Sequence, residues 1–296
     1  MSWEYKDLFN CERKGDGSFI EEPSFLRIGQ MGYRRRTTIS GPRLDAEVFP
    51  CFGRDTRGML RREKKNITRE AQQKANDRRS ELRLIQTIEA NFSKKDIWIG
   101  LSYDDHYLPD GIEKIKRDVK NYLNRVRRAR KKRGLPELKA VISIGGSVLP
   151  TEEEKGTRAH AHVFMSGGMS RDELEEIWGK GTANTKRLQP RDEGLSGISV
   201  YSASQKKKDR PESKGEKSWW GTRNLIRPEP RSRDAKVPNN RVKRIAFDFR
   251  NEAKEIMEKL YPGYRFQDCK VYYSEVVDGV YIRCVMRKAQ DRRWMQ

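Results

Sequence analysis

"TRAHAHVFMSG", residues 157–167, holds two of the three histidines in a chain of 296 residues. The run is rich in apolar and β-forming residues, which predicts a strand over 158–165. Side chains two apart on a strand share a face. His160 and His162 therefore stand side by side, with Ala161 turned to the opposite face. Two neutral imidazoles so placed are suited to holding one divalent ion.

The neighbouring segments alternate between strand and helix. Upstream, "DIWIGLSY" (96–103) alternates and predicts a strand. Residues 110–133 then carry Ile112, Ile115, Val119, Tyr122, Leu123 and Val126 at helical spacing, ended by Gly134 and Pro136. "KAVISIG" (139–145) predicts the strand before the histidines. Downstream, "SRDELEEIWGKG" opens with the capping pair Ser170 and Glu173 and closes on Gly179. A short strand over 182–188 and a helix over about 193–206 follow. The order is that of a split βαβ unit. It predicts an α+β fold: a ferredoxin-like or RRM-like antiparallel sheet with helices on one face and the other face open to a ligand. A further helix is expected over 68–92, where Ala71, Ala75, Leu82, Ile85, Ile88 and Phe92 recur. A helix over 246–260 and two strands joined across Asp278–Gly279 form a C-terminal helix-hairpin extension.

These elements divide the chain into a basic N-terminal extension (1–66), a central domain (67–206), a basic linker (207–245) containing "WWGTRNL", and the C-terminal extension (246–296). The formal net charge is +21, and 36% of residues are charged. So large an excess favours a polyanionic partner, nucleic acid before an anionic membrane. No apolar run approaches the roughly 18 residues of a membrane span, and the N-terminus "MSWEYKDLFN" has no apolar signal segment. The cysteines, Cys11, Cys51, Cys269 and Cys284, form no C-x-x-C. Cys269 and Cys284 are expected as small buried residues in a reduced, cytoplasmic protein. No G-x-x-x-x-G-K-[ST] occurs, so no nucleotide cofactor is expected. "GKGT" at 179–182 is a helix C-cap.

Several patches in this order resemble one family. "DIWIGLSYDD" is similar to its first motif, "HAHVF" to its metal-binding motif, and "GLSGISVYSASQ" (194–205) to the helix bearing its nucleophilic tyrosine. "WWGTRNL" and "YPGYRFQDCKVYYS" (261–274) resemble signatures of a subfamily. The family is the HUH endonucleases (His-hydrophobic-His). The chain looks most like the rolling-circle replication initiators of bacterial phages, plasmids and integrated elements.

The resemblance implies that His160 and His162 bind Mn²⁺ or Mg²⁺ and that Tyr201 attacks the scissile phosphate, leaving a 5′-phosphotyrosine. It implies single-stranded DNA at a replication origin as substrate, a host helicase and polymerase as partners, and the bacterial cytoplasm as location. Tyr103, Tyr107, Tyr261, Tyr264, Tyr272 and Tyr273 are competing nucleophiles. The chain departs from the family pattern in "SIGGS" (143–147), where a third, carboxylate ligand is usual. Glu152, Glu153 or Glu154, or Asp104, Asp105 and His106, are the substitutes. A lysine usual three residues after the tyrosine is replaced by Ser204, followed shortly by Lys206, Lys207 and Lys208.

DNA contacts are expected from Lys120, Arg127 and Arg128 on the basic helix, from Lys206, Lys207 and Lys208, and from Arg223 and Asn224. Trp219 and Trp220 are expected either to stack on unpaired bases or to pack as core. A different class of function stays open: a non-catalytic module using the same open sheet to hold single-stranded nucleic acid. A relaxase or transposase would be a variant of the nicking chemistry.

Overall fold

The computed structural model describes residues 11–12, 32–51, 69–146, 158–192, 194–197, 199, 219–273 and 279–289. Its described residues form an α+β protein with two antiparallel sheets, five α-helices and a short 3-10 turn. They divide into two compact units, one centred on Ser80–Arg227 and the other uniting Met1–Arg79 with Pro228–Asp291.

The unit bearing the histidines is built on β4 (Ile97–Ser102), β5 (Ala140–Gly145), β6 (His160–Met165), β7 (Ala183–Arg187) and β8 (Trp219–Gly221). The spatial order is β7-β4-β6-β5-β8, every neighbouring pair antiparallel. Helix α2 (Ile112–Lys132) connects β4 to β5, and α3 (Arg171–Trp178) connects β6 to β7. Alternation along the strands sorts the side chains into two layers. Ile99, Leu101, Ile142, Ile144, Ala161 and Val163 turn to one face and form a core with Ile115, Val119, Tyr122 and Val126 of α2 and Leu174 and Trp178 of α3.

The ends of α3 form as the sequence predicts. The Ser170 hydroxyl accepts from the Glu173 amide at 3.3 Å, and Gly179 caps the C-terminus at φ 61°. Gly181 follows where the chain presses against β4. A Cβ there would lie 2.6 Å from the Asp104 nitrogen and 2.7 Å from the Ser102 oxygen.

The expectation of helices on one face only needs correction. Helix α1 (Arg69–Asn91) packs Leu84, Ile88 and Phe92 against Val141 and Phe164 on the other face, joined by Leu188, Leu195 and Leu225. The apolar stripe of α1 needs a partner, and the Val141–Phe164 end of the sheet supplies it. The face bearing the histidines is thus partly covered.

The second unit has a six-stranded sheet in the order β1-β10-β11-β3-β2-β9. Its strands are β1 (Cys11–Glu12), β2 (Gly32–Ser40), β3 (Arg43–Cys51), β9 (Pro230–Val237), β10 (Tyr264–Tyr273) and β11 (Tyr281–Lys288). Two helices, α4 (Asn239–Phe247) and α5 (Asn251–Leu260), bury Val242, Ile245, Ala253, Ile256 and Met257 against Ala46, Val48, Ile282 and Cys284.

Three expectations change here. Residues 32–51 of the supposed N-terminal extension pair directly with β11 and β9. The segment read as a linker supplies β8, β9 and most of α4. The single helix expected over 246–260 is broken, because the Asp248 carboxylate accepts from the Arg250 and Asn251 amides and starts α5 afresh. Cys269 and Cys284 are buried as expected, and directly opposed, with Sγ atoms 3.1 Å apart.

Candidate metal and nucleic-acid site

β6 is a central strand of its sheet, hydrogen-bonded to β4 on one side and β5 on the other. His160 lies opposite Ser102 and Gly145; His162 lies opposite Gly100 and Ser143. In antiparallel register, directly opposed side chains share a face. The two imidazoles thus stand among glycines and serines, where small neighbours leave room beside the rings. Their centroids are 4.7 Å apart, edge to face.

Each ring is held differently. His160 is half-buried, and its Nδ1 lies 2.8 Å from the Arg158 carbonyl oxygen. A carbonyl only accepts, so Nδ1 donates and Nε2 is the nitrogen left to meet a ligand. This is the tautomer-fixing bond that metal-binding histidines commonly make. His162 is 4% exposed and stacks on Trp98 at 5.0 Å with an interplanar angle of 24°. Gly100 makes the stack possible, since the Trp98 ring lies 3.3 Å from where its Cβ would be. Burial first, and the neighbouring His160 second, push the His162 imidazole down to about 4. It is a neutral ligand-type ring throughout the physiological range.

That depressed value has a consequence for stability. The unfolded imidazole titrates near 6.5, so between about pH 6.5 and 4 the unfolded chain binds the extra proton and stability falls as pH falls. In EDTA the loss is expected to be on the order of 3 kcal/mol, read as a falling denaturation midpoint. His162→Gln flattens this part of the profile; an unchanged profile would show that His162 is not held neutral.

The other predicted residues separate into groups. The pair fits a divalent ion as two nitrogen donors. Among the described residues, no cluster of three His, Cys, Asp or Glu side chains able to hold a metal occurs. Asp104 is exposed just beyond β4, and its neighbour Asp105 pairs with Arg158 at 2.6 Å. The acidic segment after β4 is thereby tied to the residue whose carbonyl holds His160. Glu152, Glu153, Glu154, Tyr201, Lys206, Lys207 and Lys208 lie outside the described residues.

Of the competing tyrosines, Tyr103 is buried in the helix-side core against Trp178, its hydroxyl pushed up by burial and by the Asp118 charge. Tyr107 is exposed. Tyr261, Tyr264, Tyr272 and Tyr273 belong to the other unit.

"WWGTRNL" is largely a structural device. β8 extends the sheet beyond β5, Trp220 packs on the helix-side core, and Trp219 packs on the opposite cluster while donating to the Ser80 carbonyl at 3.1 Å. Of the two expectations for these rings, packing as core is the one this arrangement matches, and both rings stay partly exposed. The Asn224 amide donates to the Leu138 carbonyl, and its oxygen accepts from Thr222. Arg223 alone of residues 219–225 is exposed.

Lys120, Arg127 and Arg128 are exposed on α2, but α2 packs on the face of the sheet opposite the histidines. They therefore do not face the histidine pair. Trp98 and the Arg158 carbonyl were missed. The alternation of "DIWIGLSY" places Trp98 with Gly100 and Ser102, but nothing local pairs β4 with β6. No family model, no curated protein and no solved structure matches the chain.

Proposed function

We propose that the chain is a metal-dependent endonuclease of the His-hydrophobic-His type. It nicks and rejoins single-stranded DNA through a 5′-phosphotyrosine at Tyr201 and so starts rolling-circle replication. In this reading β4-α2-β5-β6-α3-β7 is a ferredoxin-like unit, widened at one edge by β8, and β10 and β11 form the hairpin of a C-terminal extension. One observation carries the reading: two imidazoles with centroids 4.7 Å apart on one face of a central strand, one with its Nδ1 tied to a carbonyl.

His160 and His162 would hold Mn²⁺ or Mg²⁺, nitrogen donors tilting the choice toward Mn²⁺. When bound, the ion supplies Lewis-acid stabilisation of charge on the scissile phosphate. The chain's own part is to fix the rings. The Arg158 carbonyl sets the tautomer of His160, Trp98 holds the plane of His162, and burial keeps His162 unprotonated. The Tyr201 oxygen bonds to phosphorus and gives up its proton, the bond from phosphorus to the 3′-oxygen breaks, and that oxygen leaves as a hydroxyl. The phosphodiester energy is kept in the tyrosyl ester, so rejoining needs no nucleotide. Unwinding and synthesis then fall to a host helicase and polymerase in the bacterial cytoplasm.

One observation favours a second reading, a non-catalytic single-strand-binding module: among the described residues the histidine pair has no carboxylate completing a three-ligand cluster. A denaturing gel with single-stranded oligonucleotides from the element's own origin region decides between them. Wild type with Mn²⁺ is expected to give a covalent protein–DNA band, absent in EDTA and in Tyr201→Phe. A band that persists in Tyr201→Phe moves the nucleophile to another residue. Binding without any band leaves the module reading.

A further inference from the structure

We propose that the outward face of α2 is a second nucleic-acid surface, on the reverse of the sheet from the histidines, and that it takes the phosphate backbone of duplex DNA. The inference deepens the DNA-processing reading above and rests on it for the identity of the polyanion.

Helix α2 divides cleanly. Ile115, Val119, Tyr122, Leu123 and Val126 are buried against the sheet. Arg117, Lys120, Arg127, Arg128 and Lys131 are exposed on the far side. Arg117, Lys120, Arg127 and Lys131 recur at steps of three, seven and four, which places them on one stripe about 21 Å long. The only exposed carboxylate on this helix, Glu113, is paired with Lys116.

Basic residues elsewhere on the helix are consumed by the fold. Arg125 donates to the Ile177 and Trp178 carbonyls, and buried Arg130 donates to Pro136, Ser166 and Gly167. The outer stripe does no such work: among the described residues its only side-chain hydrogen bond is from Arg127 to Asn124 on the same helix.

Two features select duplex over single strand. The cations sit at fixed spacing on a rigid helix, which suits the regular charge of a duplex. The outer face carries no aromatic ring, whereas single-strand surfaces use aromatic rings on which bases stack. An initiator that cuts a displaced strand must also stay on the flanking duplex, and a surface on the reverse of the sheet leaves the histidine face free.

The test measures binding of a labelled random-sequence duplex by anisotropy over a range of salt. Wild type is compared with Lys120→Gln/Arg128→Gln/Lys131→Gln and with a charge-matched control on α4 and α5, Arg241→Gln/Lys243→Gln/Lys254→Gln. All six side chains are exposed, and circular dichroism checks that each variant folds. The α2 variant is expected to bind at least tenfold more weakly near 0.1 M salt, its log–log salt slope shallower by about 3, or about 0.9 per lost phosphate contact. The control is expected to follow wild type.

Equal effects of the two variants overturn the inference, as does a single-stranded competitor that displaces the duplex equally well. So does a defect confined to phosphatidylserine vesicles, which would identify an anionic membrane as the partner. The gel assay above keeps the two readings apart. A tyrosyl adduct together with wild-type duplex binding by the α2 variant sinks this inference alone. Duplex binding that depends on α2, with no adduct from wild type, upholds this surface and sinks the nickase.

Discussion

His160→Ala and His162→Ala are each expected to lower Mn²⁺-dependent adduct formation by about 10² to 10³-fold, through loss of the charge stabilisation that a bound ion supplies. The two variants should differ in their side effects. His160 is half-exposed at the start of β6 and is held by one hydrogen bond to a carbonyl, so its removal leaves the sheet intact. His162 is buried under Trp98, so its removal also opens a space beside the indole and lowers stability. Titration calorimetry with Mn²⁺ and a thermal melt separate these terms: His160→Ala should lose metal binding at an unchanged melting midpoint. Wild-type adduct yield from His160→Ala would remove the pair from the chemistry.

Trp178→Ala is expected to have the largest effect on the fold, about 3–5 kcal/mol. Trp178 is fully buried at the end of α3, edge-on to Tyr103 at 5.2 Å and to Tyr122 at 5.8 Å. Its indole N–H donates to the Ser102 carbonyl at 2.8 Å. One side chain therefore joins α2, α3 and the end of β4. Ser102 is the residue paired with His160, so the damage should reach the histidine face from the opposite side of the sheet. Chemical denaturation measures the loss, and Trp178→Phe should recover part of it by restoring the ring without the N–H donor. A change below about 1 kcal/mol would mean that the helix layer does not depend on this residue.

Much of the histidine-bearing unit is legible in local pattern. The predicted strands over 96–103, 139–145 and 158–165 and the helix over 110–133 occur within two residues of their expected bounds, because alternation and helical spacing are properties of a short window. The ends of α3 are equally local, since Ser170 and Gly179 act within one turn. The paired orientation of His160 and His162 follows from the period of a strand alone.

The second unit shows where local reading stops. "TTISG" and "AEVFPCF" lie in the segment read as a basic N-terminal extension and look like short strand pieces broken by Gly, Pro and charge, yet they belong to β2 and β3 of a six-stranded sheet. Their charged residues are paired within the sheet: Asp45 binds Arg43 on its own strand and Arg283 on β11, and Glu47 binds Arg36 on β2 and Tyr281 on β11. Arg283 and Tyr281 lie more than two hundred positions away in sequence. A buried charge looks like a solvated one until its partner is known. The tryptophans of "WWGTRNL" were ambiguous for the same reason, as their contacts with Ser80 and the two cores are long-range.

The sequence by itself thus determined the strand and helix order around "TRAHAHVFMSG", the shared face of the two histidines and the strongly basic character of the chain. Tertiary structure alone decided that Trp98 stacks on His162, that the Arg158 carbonyl sets the tautomer of His160, that α1 covers part of the histidine face, and that the cations of α2 lie on the reverse of the sheet. The physical reason is range. Periodicity and charge act over a few residues and are written in neighbouring letters, whereas which strand lies beside which, and which layer a helix joins, are settled by the burial of side chains far apart in the chain.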